Sequence, residues 1–392
     1  MPIYYSSVML SRRLDNISPS KTVSLSNKAS ELKKAGKKVY NFGIGEPDFT
    51  TPDGIIKAAF DAAKAGKTHY TPSSGIPELR SAIADKMKKI NNVPAESGNV
   101  LVANTKFSIN LAAMALLNPG DEVLIPEPYY LSYPEIMKLY GAKPVPVRSD
   151  EDYDIDFDEL RKMTSPRTKA LIYSSPSNPT GKVFSEKLLR KLSDYIIEND
   201  MILIADEIYE DIIFEGKPFS PASIPEMFDR TVTVNGFSKS HAMTGWRIGY
   251  MVANESIIKA SDKIQQQTIT CAPSVSQYAA LAALEDRKSP KDFRDRFLHR
   301  RDLVQKLLSN STLKSRNPEG AFYAFPHYHL DINSEKFCNL LLERENVIVT
   351  PGSAFGEQGE NHFRLSFATD DETIKEGIER IIRFTEGYSG NV

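Results

Sequence analysis

Five side chains able to do chemistry follow three short apolar runs in this 392-residue sequence. KALIYSSP leads into Ser177–Asn178–Pro179–Thr180–Gly181. MILIAD ends in Asp206 and Glu207, with Tyr209 two residues further, and TVTVNGF ends in Ser238 and Lys239, with Arg247 eight residues on. An amide, a carboxylate, a phenol, an amine and a guanidinium thus arrive at the ends of successive runs. Singly, each has an ordinary explanation: Asn before Pro marks a turn, Asp after a strand caps a helix, and a lone Lys is solvated. As a set they meet the needs of a pyridoxal phosphate site. Lys239 would hold the aldehyde as a Schiff base. Asp206 would keep the pyridinium nitrogen protonated, and Asn178 and Tyr209 would donate to the phenolate oxygen. Arg247 would take the phosphate in a bidentate contact.

Such a set works only if the fold gathers it, and open α/β sheets bind ligands beyond the carboxyl ends of their strands. The runs at 99–103, 122–126, 169–175, 201–207, 231–237 and 248–253 are too short for helices and apolar on both faces. They read as buried, mostly parallel strands. Residues 52–66 and 76–92 carry apolar residues at three- and four-residue spacing, as amphipathic helices do. Ser185 is a candidate N-cap for the helical pattern that follows it. Strands alternating with helices predict an α/β domain over 46–285. The charged stretch from 288 to 310 predicts a long, partly exposed helix leaving it. AFYAFPHY, NVIVTPG and HFRLSFA then read as strands separated by helices, a smaller α+β domain over 286–392 with which the segment 1–45 is expected to pack.

Composition excludes several classes. With 41% hydrophobic and 26% charged residues the chain is globular, and 49 basic against 51 acidic residues leave no positive excess for nucleic acid or an anionic membrane. The only cysteines, Cys271 and Cys338, lack CxxC spacing, which points to a reducing compartment and to neither zinc nor a disulfide framework. No run approaches the ~18 apolar residues of a membrane span, and the N-terminus lacks a signal-peptide pattern, so a cytoplasmic location is expected. No G-x-G-x-x-G follows a strand, which disfavours a dinucleotide-binding dehydrogenase. The histidines show no metal spacing; His327 and His329 alternate along an expected strand and read as surface residues.

The stretches GEPDFTTP (45–52), HYTPSSGIPELR (69–80), PEPYYLSYPE (126–135), SSPSNPTGKVF (174–184), ADEIYE (205–210), NGFSKSHAMTGWRIGY (235–250) and FRLSFA (363–368) span nearly the whole chain. In them the sequence resembles the class I, fold type I pyridoxal phosphate aminotransferases, specifically their prokaryotic aspartate aminotransferase branch. The resemblance implies a large domain with a mostly parallel sheet flanked by helices, a smaller α+β domain, and a homodimer with shared active sites. It further implies that Tyr130 stacks on the cofactor ring and that Tyr70 reaches the phosphate of the neighbouring subunit's cofactor. Arg364 would bind the substrate α-carboxylate and Gly45 would lie close to the substrate. Lys106, Ser20 and Thr22 would surround the distal carboxylate of an acidic substrate. Two departures stand out. The phosphate-cupping loop, usually built of small residues, reads Ala103–Asn104–Thr105–Lys106; its backbone N–H groups would still bind phosphate, with the Thr105 hydroxyl as an added donor. Gly236 stands where many relatives have Ser, so that one phosphate contact is either missing or replaced by Ser238. The reaction implied is ping-pong transfer of an amino group from an L-amino acid, aspartate first, to a 2-oxo acid, 2-oxoglutarate first. Alternatives are an aromatic or broad-specificity aminotransferase, or a β-lyase of the same fold. Decarboxylation is disfavoured by Arg364, and a non-catalytic module by the filled catalytic positions.

Overall fold

A computed structural model describes residues 11–19, 29, 31, 32, 34 and 36–388. Ser20 and Thr22 lie outside the described residues. Strand β1 (Tyr40–Asn41) precedes helices α1 (Asp53–Lys64) and α2 (Pro77–Lys89). Next come β2 (Val100–Val102), α3 (Thr105–Leu116), β3 (Glu122–Pro126), α4 (Ser132–Leu139), β4 (Lys143–Val147) and α5 (Phe157–Met163). They are followed by β5 (Thr168–Ser174), α6 (Glu186–Glu198), β6 (Ile202–Asp206), the one-turn helix α7 (Pro225–Phe228), β7 (Thr231–Gly236) and β8 (Gly249–Val252). Helices α8 (Glu255–Thr268), α9 (Ser274–Glu285) and α10 (Lys288–Leu308) run consecutively. The remainder is β9 (Tyr323–Ala324), α11 (Ser334–Glu345), β10 (Val347–Ile348), β11 (Thr350–Pro351), β12 (Phe363–Ser366) and α12 (Asp371–Gly387).

Seven strands form one sheet in the order β2-β8-β7-β6-β5-β3-β4, with β8 alone running opposite to the other six. Both faces are covered, as a mostly parallel sheet requires. Along β3, Leu124 packs towards Leu189 and Leu192 of α6, while Ile125 packs on the opposite face with residues of α3, α4 and α8. Each such side chain, fully buried, contributes about 1.5–3 kcal/mol. All six apolar runs expected to be strands are strands of this sheet. The seventh, β4, escapes that reading because Pro144 and Pro146 interrupt it; it is an edge strand, where a missing N–H costs no ladder bond. The Ser185 hydroxyl accepts the Leu188 N–H at 3.2 Å, capping α6 as expected.

The C-terminal strands form a separate antiparallel sheet, β11-β12-β9, and β1 pairs in parallel with β10. Their core is aromatic, with Phe297, Phe322, Phe337, Phe363 and Phe367 buried, and it reaches Tyr209 in the segment after β6. Helix α10 buries one stripe, including Phe297, Val304 and Leu308, with Phe293, Leu303 and Leu307 partly buried beside it. Arg300 of that stripe grips Asp48 through two 2.7 Å bonds, tying α10 to the loop that carries Gly45. No helix among the described residues is long and apolar enough to cross a membrane.

Candidate active site

At the carboxyl ends of β5, β6 and β7 lies a cavity of about 410 Å³, walled by Gly45, Thr105, Tyr130, Asp206, Lys239 and Arg364 among others. Asp206, the last residue of β6, is buried. Its Oδ2 accepts the Tyr133 hydroxyl at 2.8 Å and its Oδ1 accepts the Ile208 N–H at 3.3 Å. Burial raises the carboxyl to about 6, against the pull of both hydrogen bonds and of the Lys239 charge. Above that pH Asp206 is a fixed, aimed anion. Lys239 follows β7 and donates from Nζ to the Gly45 carbonyl at 2.7 Å. Desolvation lowers this amine to about 8; Glu46 opposes the shift, while Arg364 and Arg247 reinforce it. A substantial fraction of Lys239 is therefore an uncharged nucleophile near neutral pH.

Arg364 comes from β12, on the other sheet, and is 1% exposed. Its Nη1 donates to Asn178 Oδ1 at 3.0 Å and its Nη2 to the Gly43 carbonyl at 2.7 Å. The guanidinium lies over the Tyr323 ring at 4.6 Å, and its Nε has no hydrogen-bond partner among the described residues. Tyr209 and Tyr323 bring their hydroxyls to 2.7 Å. Burial holds the Tyr209 phenol well above its ordinary pKa, so it remains a proton donor. Tyr130 lines the cavity, with its ring edge-on to Tyr133 at 5.4 Å and the Lys106 amine 5.5 Å from its centroid.

The corner formed by the start of α3 differs in detail from the sequence reading. Asn104 caps the helix, accepting the Phe107 N–H at 3.0 Å. The Thr105 hydroxyl donates to the Asn235 carbonyl at 3.1 Å, so it is committed to β7. A Cβ on Gly236 would meet that Thr105 Oγ1 at 3.0 Å and the Gly249 Cα at 2.8 Å. The glycine and the threonine are therefore one packing arrangement rather than two independent departures. Ser238 lines the cavity. Arg247 stands exposed at the rim with a left-handed φ of 54°, a costly conformation for a residue with a Cβ. Its Nη1 donates to the Thr244 carbonyl at 2.7 Å. Tyr70 is 88% exposed and is not part of this chain's own cavity wall.

The structure thus brings Lys239, Asp206, Asn178, Tyr209, Arg364, Gly45, Tyr130, Lys106, Thr105, Ser238 and Arg247 to one cavity. The sequence reading missed Tyr133, Tyr323 and Glu46. All three sit inside quoted or recognised stretches, but only tertiary packing between distant segments discloses their partners. An enclosed amine, a buried carboxylate and two guanidiniums with a helix N-terminus could hold a phosphorylated pyridine aldehyde. The Arg364 Nε is buried without a hydrogen-bond partner among the described residues, a donor that the protein itself leaves unsatisfied. No group of His, Cys, Asp or Glu among the described residues is arranged to hold a metal.

The model of the family Aminotransferase class I and II matches residues 37–381. An aspartate aminotransferase of Pyrococcus abyssi is 44% identical over 383 residues, covering 95% of this chain and 97% of its own. An aromatic-amino-acid aminotransferase of Thermococcus litoralis is 39% identical over 381 residues, covering 95% and 97% respectively. Among solved structures, the aspartate aminotransferase from Thermus thermophilus with maleate matches with a TM-score of 0.92 at 37% identity, covering 96% of this chain and 99% of that one.

Proposed function

The chain belongs to the class I and II aminotransferase family, and from that premise we propose that it transfers an amino group from L-aspartate to 2-oxoglutarate with pyridoxal 5′-phosphate as cofactor. The observation that carries this reading is the convergence of the Lys239 amine, the Asp206 carboxylate and the Arg364 guanidinium on one cavity. Pyridoxal phosphate, when bound, supplies an aldehyde that takes up the amino group and a ring that withdraws electrons from the substrate Cα. Lys239 would anchor that aldehyde and, once displaced by substrate, carry the Cα proton as general base and return it as acid; its lowered pKa suits both roles. Asp206 would keep the ring nitrogen protonated. Tyr209 and Asn178 would donate to the phenolate oxygen, and Tyr130 would stack on the ring. Arg247, Ser238 and the N–H groups at the start of α3 would hold the phosphate. Arg364 would fix the α-carboxylate, with Gly45 beside it.

The preference for an acidic substrate rests on Lys106. A dicarboxylate needs a second cation, and the Lys106 amine stands over Tyr130 at the cavity edge. The maleate of the Thermus structure is itself a dicarboxylate. The same reading includes a cytoplasmic homodimer that shares its sites through Tyr70, a large domain over 46–285 and a small one over 286–392 packed with the N-terminal segment. A charge-assisted contact contributes roughly 1.5–3 kcal/mol. Lys106→Ala should therefore cut kcat/KM for aspartate by about ten- to a hundredfold and barely change it for phenylalanine. Equal losses on both substrates would assign Lys106 to the phosphate and remove the case for aspartate.

A further inference from the structure

Tyr323 is absent from the site as the motifs define it, yet it touches three of its parts. Its hydroxyl lies 2.7 Å from that of Tyr209. Its ring lies under Arg364, 4.6 Å from the guanidinium carbon. A Cβ on Gly45 would come within 2.5 Å of the Tyr323 hydroxyl, and Gly45 is the residue whose carbonyl holds Lys239. The register explains the second contact. Tyr323 on β9 pairs with Ser366 on β12, and Ser366 shares a strand face with Arg364 two residues earlier.

A phenylalanine would serve if only apolar filling were needed here, since a buried hydroxyl costs free energy unless it is hydrogen-bonded. The bond to Tyr209 meets that requirement. It also sets a direction. A phenol has one proton and can accept through its lone pairs. If Tyr209 donates to the cofactor's phenolate oxygen, the bond between the two tyrosines must run from Tyr323 to Tyr209. Accepting that bond polarises the Tyr209 O–H and strengthens its own donation.

We propose that Tyr323 is a positioning residue that links the carboxylate seat to the phenolate side of the cofactor. Its hydroxyl aims the Tyr209 proton, and its ring carries the Arg364 guanidinium. The proposal rests on the reading of Tyr209 given above. One phenol therefore joins the β9–β12 sheet, which supplies the substrate's anchor, to the segment after β6, which supplies the donor to the cofactor.

The test is a pH titration of the visible absorbance of the enzyme loaded with pyridoxal phosphate, on wild type, Tyr209→Phe, Tyr323→Phe and the double variant. Loss of a donor to the phenolate makes the bound cofactor hold its proton more tightly. Tyr323→Phe should lower the acid dissociation constant by about three- to tenfold, and Tyr209→Phe by more. The double variant should match Tyr209→Phe, because Tyr323 has nothing to act through once that hydroxyl is gone. An unchanged titration in Tyr323→Phe beside a shifted one in Tyr209→Phe overturns the proposal and spares the site reading. So does an equal Tyr323 effect in both backgrounds. An unchanged titration in Tyr209→Phe overturns the reading itself, and the proposal with it. For the ring, Tyr323→Leu should raise KM for L-aspartate about three- to thirtyfold above Tyr323→Phe, the range of a cation–π contact; equal KM values in the two variants would remove that half of the proposal.

Discussion

Before any cofactor is present, the amine of Lys239 should already react as a base far weaker than an ordinary lysine. Its fall from 10.5 to about 8 disfavours the ammonium by about 3 kcal/mol, and desolvation in the cavity is the leading cause. At pH 7.5 about a quarter of the Lys239 amines are uncharged, against roughly one in a thousand for an exposed lysine. The ratio is on the order of two hundredfold in nucleophile concentration at equal intrinsic reactivity. The assay is reductive alkylation of the cofactor-free protein with a dilute small aldehyde and cyanoborohydride, followed by peptide mapping across pH. Lys239 should be labelled first, with its rate levelling off above a midpoint near 8. The neighbours give the sign of two controls. Glu46→Gln removes the charge that favours the ammonium and should move the midpoint down; Arg364→Met removes a repulsive charge and should move it up. A midpoint above 10, or preferential labelling of another lysine, would refute the argument that this cavity prepares its nucleophile.

Other outcomes follow from the same geometry. Asp206 is held at about 6 against an ordinary 3.8, so between those values the folded state keeps a proton that the unfolded chain has released. Stability falls as pH rises through that window, and the cost of burying the charge is fully present above pH 6. Asp206→Asn should therefore stabilise the cofactor-free protein by up to about 3 kcal/mol at pH 8 and much less near pH 4, as read by urea unfolding, while nearly abolishing turnover; a gain independent of pH would show that Asp206 is not buried as an anion. Arg364→Lys should lose about a hundredfold or more in kcat/KM for amino acids, because an ammonium cannot reproduce the fork that engages Asn178 and Gly43 and still meet a carboxylate; steady-state kinetics close to wild type would move the carboxylate elsewhere. Tyr70→Phe should weaken cofactor retention, and mixing Tyr70 and Lys239 variants should regenerate some activity if sites are shared; a fully active monomer by sedimentation would contradict this.

Apolar runs closed by polar residues made the central sheet legible, because a strand covered on both faces cannot hide its composition. EVLIP at 122–126 became β3 without a shift of one residue. The edge strand KPVPV was invisible for the same reason inverted: half exposed and holding two prolines, it has neither the composition nor the donors of a central strand. The residues at strand ends were legible because sequence order places them directly. Their partners were not. The Tyr133 hydroxyl on Asp206 spans 73 positions and the Tyr209–Tyr323 pair spans 114, separations over which no local pattern carries information. Thr105 shows a further limit. A hydroxyl at a helix start suggested an anion contact, but an absent Cβ on Gly236 and a nearby carbonyl on Asn235 claimed it first.

The central claim is that one cavity takes an amino group from an acidic amino acid and later yields it to a 2-oxo acid. It is tested most directly by the visible spectrum of the loaded enzyme in two half-reactions. Addition of L-aspartate alone should bleach the long-wavelength band and release one oxaloacetate per site. Subsequent 2-oxoglutarate should restore the band and release one glutamate. A spectrum unmoved by L-aspartate, or bleaching accompanied by free ammonia or carbon dioxide in place of the 2-oxo acid, would contradict the account.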